Sequence, residues 1–171
     1  MQQLHLNKVL FVPAHIPPHK KGQATANPSQ RLSMIKRAVS IVPEFEVSSI
    51  EIDREGVSYT VDTLQELRTK YRNAKFFLIV GGDNFAQLDT WKSAKEILRL
   101  ATPAVYDRDG KKSRSRMRAM PRNIALHGAA LRISSTLIRQ RLKNGQSIRF
   151  LVTSVVERYI RRHHLYRRPG V

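Results

Sequence analysis

Cysteine is absent from all 171 residues. That excludes disulfide staples and thiolate metal sites, and it suits a cytoplasmic protein. Acidic residues number only 13, and those few fall mostly on predicted helix surfaces, so no carboxylate pair is placed for acid–base hydrolysis. No run of about 18 apolar residues occurs, which leaves nothing to span a membrane. The opening Met1-Gln2-Gln3-Leu4-His5 lacks the charged and then apolar stretches of a signal peptide. Neither Gly-x-Ser-x-Gly nor Gly-x-x-x-x-Gly-Lys is present, so the hydrolase elbow and the P-loop are both missing. No glycine precedes Gly22.

What the chain has in excess is positive charge. Lys and Arg total 31, for a formal net charge of +18. Such a balance predicts attraction to polyanions that fades with salt. Much of it is clustered, in Lys111–Arg118 and in Arg161–His164 with Arg167-Arg168. The first cluster belongs to a flexible loop at about residues 107–123, the second to a helix end and tail. Both fit solubility or loose polyanion binding without a dedicated site. The six histidines form no metal motif. His15 and His19 are four apart but straddle Pro17 and Pro18, so no helix brings them onto one face.

At this length one core, and so one domain over 1–171, is expected. Val9–Val12 and Lys75–Val80 are apolar runs of the kind buried in parallel sheets. Phe45–Ile52 alternates like a strand, and Pro103–Tyr106 and Ile124–Leu126 are shorter strands. Between them the helical period predicts helices from Pro28, from Thr60, from Trp91 to Leu100, and from Ser134 to Lys143. Ser154-x-x-Glu157 resembles a capping box opening a last helix. Strands alternating with helices predict an α/β fold, a doubly wound, mostly parallel sheet with helices on both faces. In that fold ligands lie beyond the carboxyl ends of the strands. The Pro17–Lys20 loop, the Gly81-Gly82-Asp83 turn and the Ser134-Ser135-Thr136 cap are all expected there.

Each of these stretches has chemistry to offer. Three hydroxyl residues at a helix start, with Arg139 one turn on, make a seat for phosphate, or else simply a well-capped helix. Gly81 and Gly82 give room for a ligand, and Asp83 can accept from ribose hydroxyls or stay solvated. His19 and Lys20 sit in a proline-stiffened loop, facing phosphate or facing water. Thr60 either caps its helix or offers a backbone N–H to a carboxylate. Trp91, the single tryptophan, is core or a stacking platform.

Taken in order, several stretches resemble the bacterial nicotinate-nucleotide adenylyltransferase family of the nucleotidyltransferase superfamily. They are Val12-Pro13-Ala14, Pro17-Pro18-His19-Lys20, Gln30-Arg31-Leu32-x-Met34 and Ile50-Glu51-Ile52. Then come Ser58-Tyr59-Thr60-Val61-Asp62-Thr63-Leu64, Gly81-Gly82-Asp83-Asn84, Trp91, Ile133-Ser134-Ser135-Thr136-x-Ile138-Arg139, Tyr159-Ile160 and Leu165-Tyr166. The resemblance implies transfer of AMP from ATP, which carries Mg2+, to nicotinate mononucleotide. It implies that Thr60 and Trp91 hold and stack the nicotinate and that Asp83, beside Gly81, meets the adenylyl ribose. Ser134, Ser135, Thr136 and Arg139 would take the ATP phosphates, with His19 and Lys20 assisting.

One departure matters. The family opens with Gly-Gly-x-Phe-Asp-Pro-x-His-x-Gly-His, and no His-x-Gly-His occurs in these residues, leaving His19 and Arg139 as the catalytic candidates. Met1–Leu6 resembles the tail of the helix that follows that motif. The strand before it is central in the family's sheet, between those at Val9–Val12 and Phe76–Val80. Its loss should leave those two with unpaired edges or force them together. On this reading the chain is an N-terminally shortened version, through a real loss of that segment or a late start codon, and is expected to be inactive or very weak. Two alternatives stay open: a basic nucleic-acid-binding protein on a degenerate scaffold, and an adenylyltransferase with another phosphate acceptor. Oligomerisation is open as well.

Overall fold

Every strand pairing among the described residues is parallel, as apolar runs separated by helices require, because parallel neighbours need a crossover connection. The computed structural model describes residues 1–18, 26–106, 120, 122–129, 131 and 133–166. They form two compact units, Met1–Ser58 with Arg132–Val171, and Tyr59–Leu131. The basic stretch 107–119, the Pro17–Lys20 loop beyond Pro18, and the tail from Arg167 lie outside the described residues.

In the first unit β1 (Val9–Phe11) lies beside β2 (Phe45–Val47), and the Phe11 and Phe45 rings meet at 5.2 Å between centroids. The crossover is α1 (Pro28–Val39). Its start is well specified: the Asn27 side chain accepts from the Gln30 N–H, the Gln30 side chain accepts from the Asn27 N–H, and Pro28 needs no donor. After β2 the chain turns into a short helix, α2 (Ile50–Asp53), so the strand expected to reach Ile52 stops at Val47. Local serine chemistry is the reason. The Ser48 hydroxyl accepts from the Ile50 N–H at 3.4 Å, and Ser49 donates to Asp53 at 2.7 Å, giving the backbone an alternative to a ladder.

The second unit runs α3 (Thr60–Lys70), β3 (Phe77–Gly81), α4 (Gly82–Ala86), a 3-10 turn at Leu88–Thr90, α5 (Ala94–Leu100), β4 (Thr102–Tyr106) and β5 (Ile124–Leu126), with sheet order β3-β4-β5. Val61, Leu64, Val80, Phe85, Leu88, Ile97, Ala101 and Val105 make its core. The expected helix from Trp91 begins only at Ala94, because Ser93 takes a left-handed conformation (φ 54°) that resets the backbone.

The first unit closes with α6 (Ser135–Lys143) and α7 (Ser154–Arg162). Ala26, Ile148, Val156, Ile160 and Leu165 are its core, joined by Met34 of α1 and Ile138 of α6. The Ser154 capping box does not form. Thr153 holds the cap position without a side-chain bond, and Glu157 is committed to Arg161 at 2.8 Å. β1 and β3 belong to different sheets, each bonded to one neighbouring strand among the described residues.

Candidate active site

The residues singled out from sequence fall into two groups, one in each unit. In the first, Ser134 has an extended backbone, and its hydroxyl accepts from the Leu137 N–H at 3.1 Å. That makes it the N-cap of α6, with its acceptor committed and its O–H still able to donate. The backbone N–H groups of Ser135 and Thr136 have no helical partner, and the helix dipole adds positive potential there. Arg139 turns back toward this end, its Nη2 at 3.4 Å from the Thr136 hydroxyl. All three hydroxyl residues are exposed and Arg139 is half-buried. The last turn carries Arg141 and Lys143, and Gly145 ends it in the left-handed region (φ 68°).

His19 and Lys20 lie outside the described residues, but both ends of their loop are visible. The outgoing end is fixed where the His15 N–H donates to the Ser58 hydroxyl at 2.8 Å and Ile16 bridges to Val57. Both ends meet Arg31, which donates to the carbonyls of Ala14 (2.5 Å), His15 (2.8 Å) and Ala26 (3.2 Å). Partial burial lowers the pKa of its guanidinium from the ordinary value, and the nearby Tyr166 phenol partly offsets this. On sequence grounds Arg31 has no role beyond its place in a motif, because its partners stand up to 17 residues away.

Tyr166 completes this corner. Burial raises its phenol above the ordinary tyrosine range, against a hydrogen bond with the Ala26 backbone and the charges of Arg139 and Arg31. A raised folded pKa means that the folded chain holds the proton longer than the unfolded one. Stability from this group is therefore full below pH ~10 and is lost as pH rises through the folded pKa. Tyr166→Phe should remove that alkaline loss, seen as a flatter urea midpoint between pH 9 and pH 11 than in the parent.

The second group sits at the other unit's strand and helix ends. β3 delivers Gly81, and a Cβ built there would meet nothing within 4 Å, so there is room for a ligand. Gly82 is buried, and Asp83 is exposed in the first turn of α4. Tyr59, not Thr60, holds the cap position of α3, without a side-chain bond. Thr60 therefore does not cap, and its N–H is one of those with no helical partner.

Trp91 is half-buried against the core rather than inside it, on extended backbone. Its neighbour Lys92 ties the two stretches together. The amine lies 3.0 and 3.1 Å from the Asp62 oxygens and 4.5 Å from the centre of the Tyr59 ring. Thr60 and Trp91 thus flank residues in direct contact. As an exposed pair Lys92–Asp62 adds little stability; its effect is positional. Asp62 and Lys92 stand 30 residues apart, so sequence reasoning missed their pairing, and no local signal could have shown it.

An open cleft lined by Ser147, Arg149, Phe150, Arg158 and Arg161 lies between the 147–152 turn and α7. None of the residues assigned above lines it.

Residues 1–141 match the family model described as "Cytidylyltransferase-like". The chain is 39% identical over 170 residues to a protein of Desulfitobacterium hafniense (strain Y51) named "Probable nicotinate-nucleotide adenylyltransferase", covering 95% of this chain and 82% of that protein. A protein of the same name from Halalkalibacterium halodurans is 39% identical over 163 residues, covering 95% and 78%. Among solved structures, the Plasmodium falciparum nicotinic acid mononucleotide adenylyltransferase complexed with NaAD superposes with a TM-score of 0.75 at 15% identity. The match covers 94% of this chain and 83% of that one. At that identity the likeness establishes the α/β fold.

Proposed function

The chain belongs to the cytidylyltransferase-like family and, within it, to the nicotinate-nucleotide adenylyltransferases, and from that premise we propose that it transfers AMP from ATP to nicotinate mononucleotide, giving deamido-NAD and pyrophosphate for NAD biosynthesis. The observation that carries the reading is the start of α6. There an N-cap hydroxyl, two N–H groups with no helical partner and a guanidinium turned back along the helix share one turn, a donor set suited to a phosphate chain.

The chemistry asks little of the protein beyond placement and charge. The 5′-phosphate oxygen of nicotinate mononucleotide forms a new bond to the α-phosphorus of ATP. The bond from that phosphorus to the β-phosphate oxygen breaks in line, and its electron pair leaves with pyrophosphate. The attacking group is already an anion at neutral pH, so no general base is needed. In this reading Ser134, Ser135, Thr136 and Arg139 hold the triphosphate, with His19 and Lys20 assisting. Asp83 accepts from the adenylyl ribose beside Gly81. The Thr60 N–H meets the nicotinate carboxylate, and Trp91 stacks on the pyridine ring. Magnesium would enter with ATP and would offset charge on its phosphates. No described helix is long and apolar enough to cross a membrane, and we place the reaction in the cytoplasm.

If Trp91 is the stacking platform, Trp91→Ala should raise KM for nicotinate mononucleotide by roughly tenfold or more, since one ring stack is worth about 1–3 kcal/mol. KM for ATP should stay near the parent value. Product analysis after incubation with ATP, Mg2+ and either mononucleotide tests the reaction itself. Deamido-NAD and pyrophosphate are expected in equal amounts, with nicotinamide mononucleotide a poor acceptor. Equal use of both mononucleotides, or of neither at any enzyme concentration, would overturn the assignment. The +18 charge favours a second, weaker behaviour, binding to polynucleotide that fades by about 0.2 M salt.

A further inference from the structure

The cleft between the 147–152 turn and α7 takes no part in the transfer chemistry, yet its most prominent wall is held there deliberately. Phe150 lines it and is 91% exposed, the most exposed large hydrophobic among the described residues. Its backbone lies in the left-handed region (φ 66°), which is strained for a bulky side chain. The turn that presents it is braced on both sides. Ile148, 1% exposed, anchors it in the core, and its carbonyl accepts from the Leu151 N–H at 3.0 Å. The Arg149 N–H donates to the Ser147 hydroxyl at 3.1 Å, and Arg141 donates to the Ser147 carbonyl at 2.7 Å. A flat apolar ring is thus held out to water on a fixed backbone, so little freedom is left to lose on binding.

The same cleft carries positive charge with little to offset it. Arg158 and Arg161 stand three apart and share one face of α7, and Arg149 flanks the ring. Glu157 is the single acidic residue after Asp109. It is committed to Arg161, whose Nε and Nη2 lie 3.0 and 2.8 Å from one of its oxygens. Among the described residues no ion pair joins Arg149 or Arg158 to an acid. An aromatic face beside guanidinium groups matches a base with a phosphate on either side. The openness of the cleft decides which ligand of that chemistry fits. A free nucleotide needs a pocket that covers most of its surface, whereas this space of about 660 Å3 lies open to solvent. A strand instead brings several phosphates at once and gains from releasing their counterions. A second copy of the chain, paired about a two-fold axis, would set this basic face against itself. We infer that the cleft binds single-stranded polynucleotide, with Phe150 stacked on a base and Arg149 and Arg158 on the flanking phosphates. This rests on the polynucleotide binding proposed above, not on AMP transfer, and gives that binding a place.

Fluorescence anisotropy with a labelled oligo-uridylate of about 12 nucleotides, titrated upward from ~50 mM salt, tests the site. Phe150→Ala should weaken binding about tenfold with the salt slope unchanged, and Phe150→Trp should restore it. Arg158→Gln should reduce the slope of log affinity against log salt by about 0.7, the share of one single-strand phosphate. Lys95→Gln, which removes an equal charge from the exposed surface of α5, should leave the slope alone. On a strand of the same length without bases, Phe150→Ala and the parent should bind alike. Phe150 and Arg158 are both exposed, so the urea midpoint and the rate of AMP transfer should match the parent in every variant. A parent that binds no strand would remove the cleft and the polynucleotide reading together. Binding indifferent to Phe150→Ala, or equally tight on the strand without bases, would overturn the cleft and leave only diffuse charge attraction. Phosphatidylglycerol vesicles bound with the same dependence on Phe150 would overturn it as well, assigning the ring to a membrane surface.

Discussion

Replacing Phe85 by alanine is expected to cost about 3–5 kcal/mol of stability, the usual toll for emptying a fully buried aromatic site. Phe85 is 0% exposed and belongs to the cluster with Leu88, Ile97 and Val105. It lies two residues after Asp83 on α4, a helix of only five residues that hangs from β3. So short a helix has no stability of its own, and its place is set by the side chain it buries. A loss of that size is a large share of what a domain possesses. The urea midpoint of Phe85→Ala should fall accordingly, with Phe85→Leu falling much less. The functional corollary is that Asp83 loses its support before the protein unfolds. At urea concentrations where Phe85→Leu still transfers AMP, Phe85→Ala should not. An unchanged midpoint would show that α4 is held by something other than its buried ring.

Arg139→Ala should lower kcat/KM for ATP by about a hundredfold or more, the range seen when a donor aimed at developing phosphoryl charge is removed. The residue is half-buried, and its guanidinium is directed to the N-terminal turn of α6. Arg139→Lys keeps the charge but not the planar fork, so only part of the rate should return. The helix itself should survive, because Ser134 and not Arg139 supplies the cap. Far-ultraviolet circular dichroism and the urea midpoint of Arg139→Ala should therefore match the parent. A rate within threefold of the parent would remove Arg139 from the phosphate site.

How much of this was legible follows from the range of the interactions involved. β3 and the Gly81-Gly82-Asp83 turn were readable because a parallel strand needs an unbroken apolar run and its exit needs small residues, but the burial expected along the strand holds only at Val80, and Ile79 is 49% exposed. The α6 cap was readable because Ser134 and Leu137 are three apart and the bond between them is local. Errors came where one local contact overrode a pattern. Ile50 and Ile52 continue the look of a strand, but Ser48 and Ser49 bond the backbone into α2. Trp91 has the helical period of α5, but the left-handed Ser93 delays the start. Ser154-x-x-Glu157 has the spacing of a capping box, but Arg161 takes the glutamate. Arg31 was illegible for a different reason. Its partners are carbonyls, identical in every residue, and only folding decides which of them it meets.

The central claim is that this chain recognises a deamidated pyridine dinucleotide, and equilibrium binding tests it without depending on turnover. Calorimetric titration with deamido-NAD should show one saturable site, bound more tightly than NAD at the same salt concentration. No saturable binding, or NAD bound as tightly as deamido-NAD, would contradict the account.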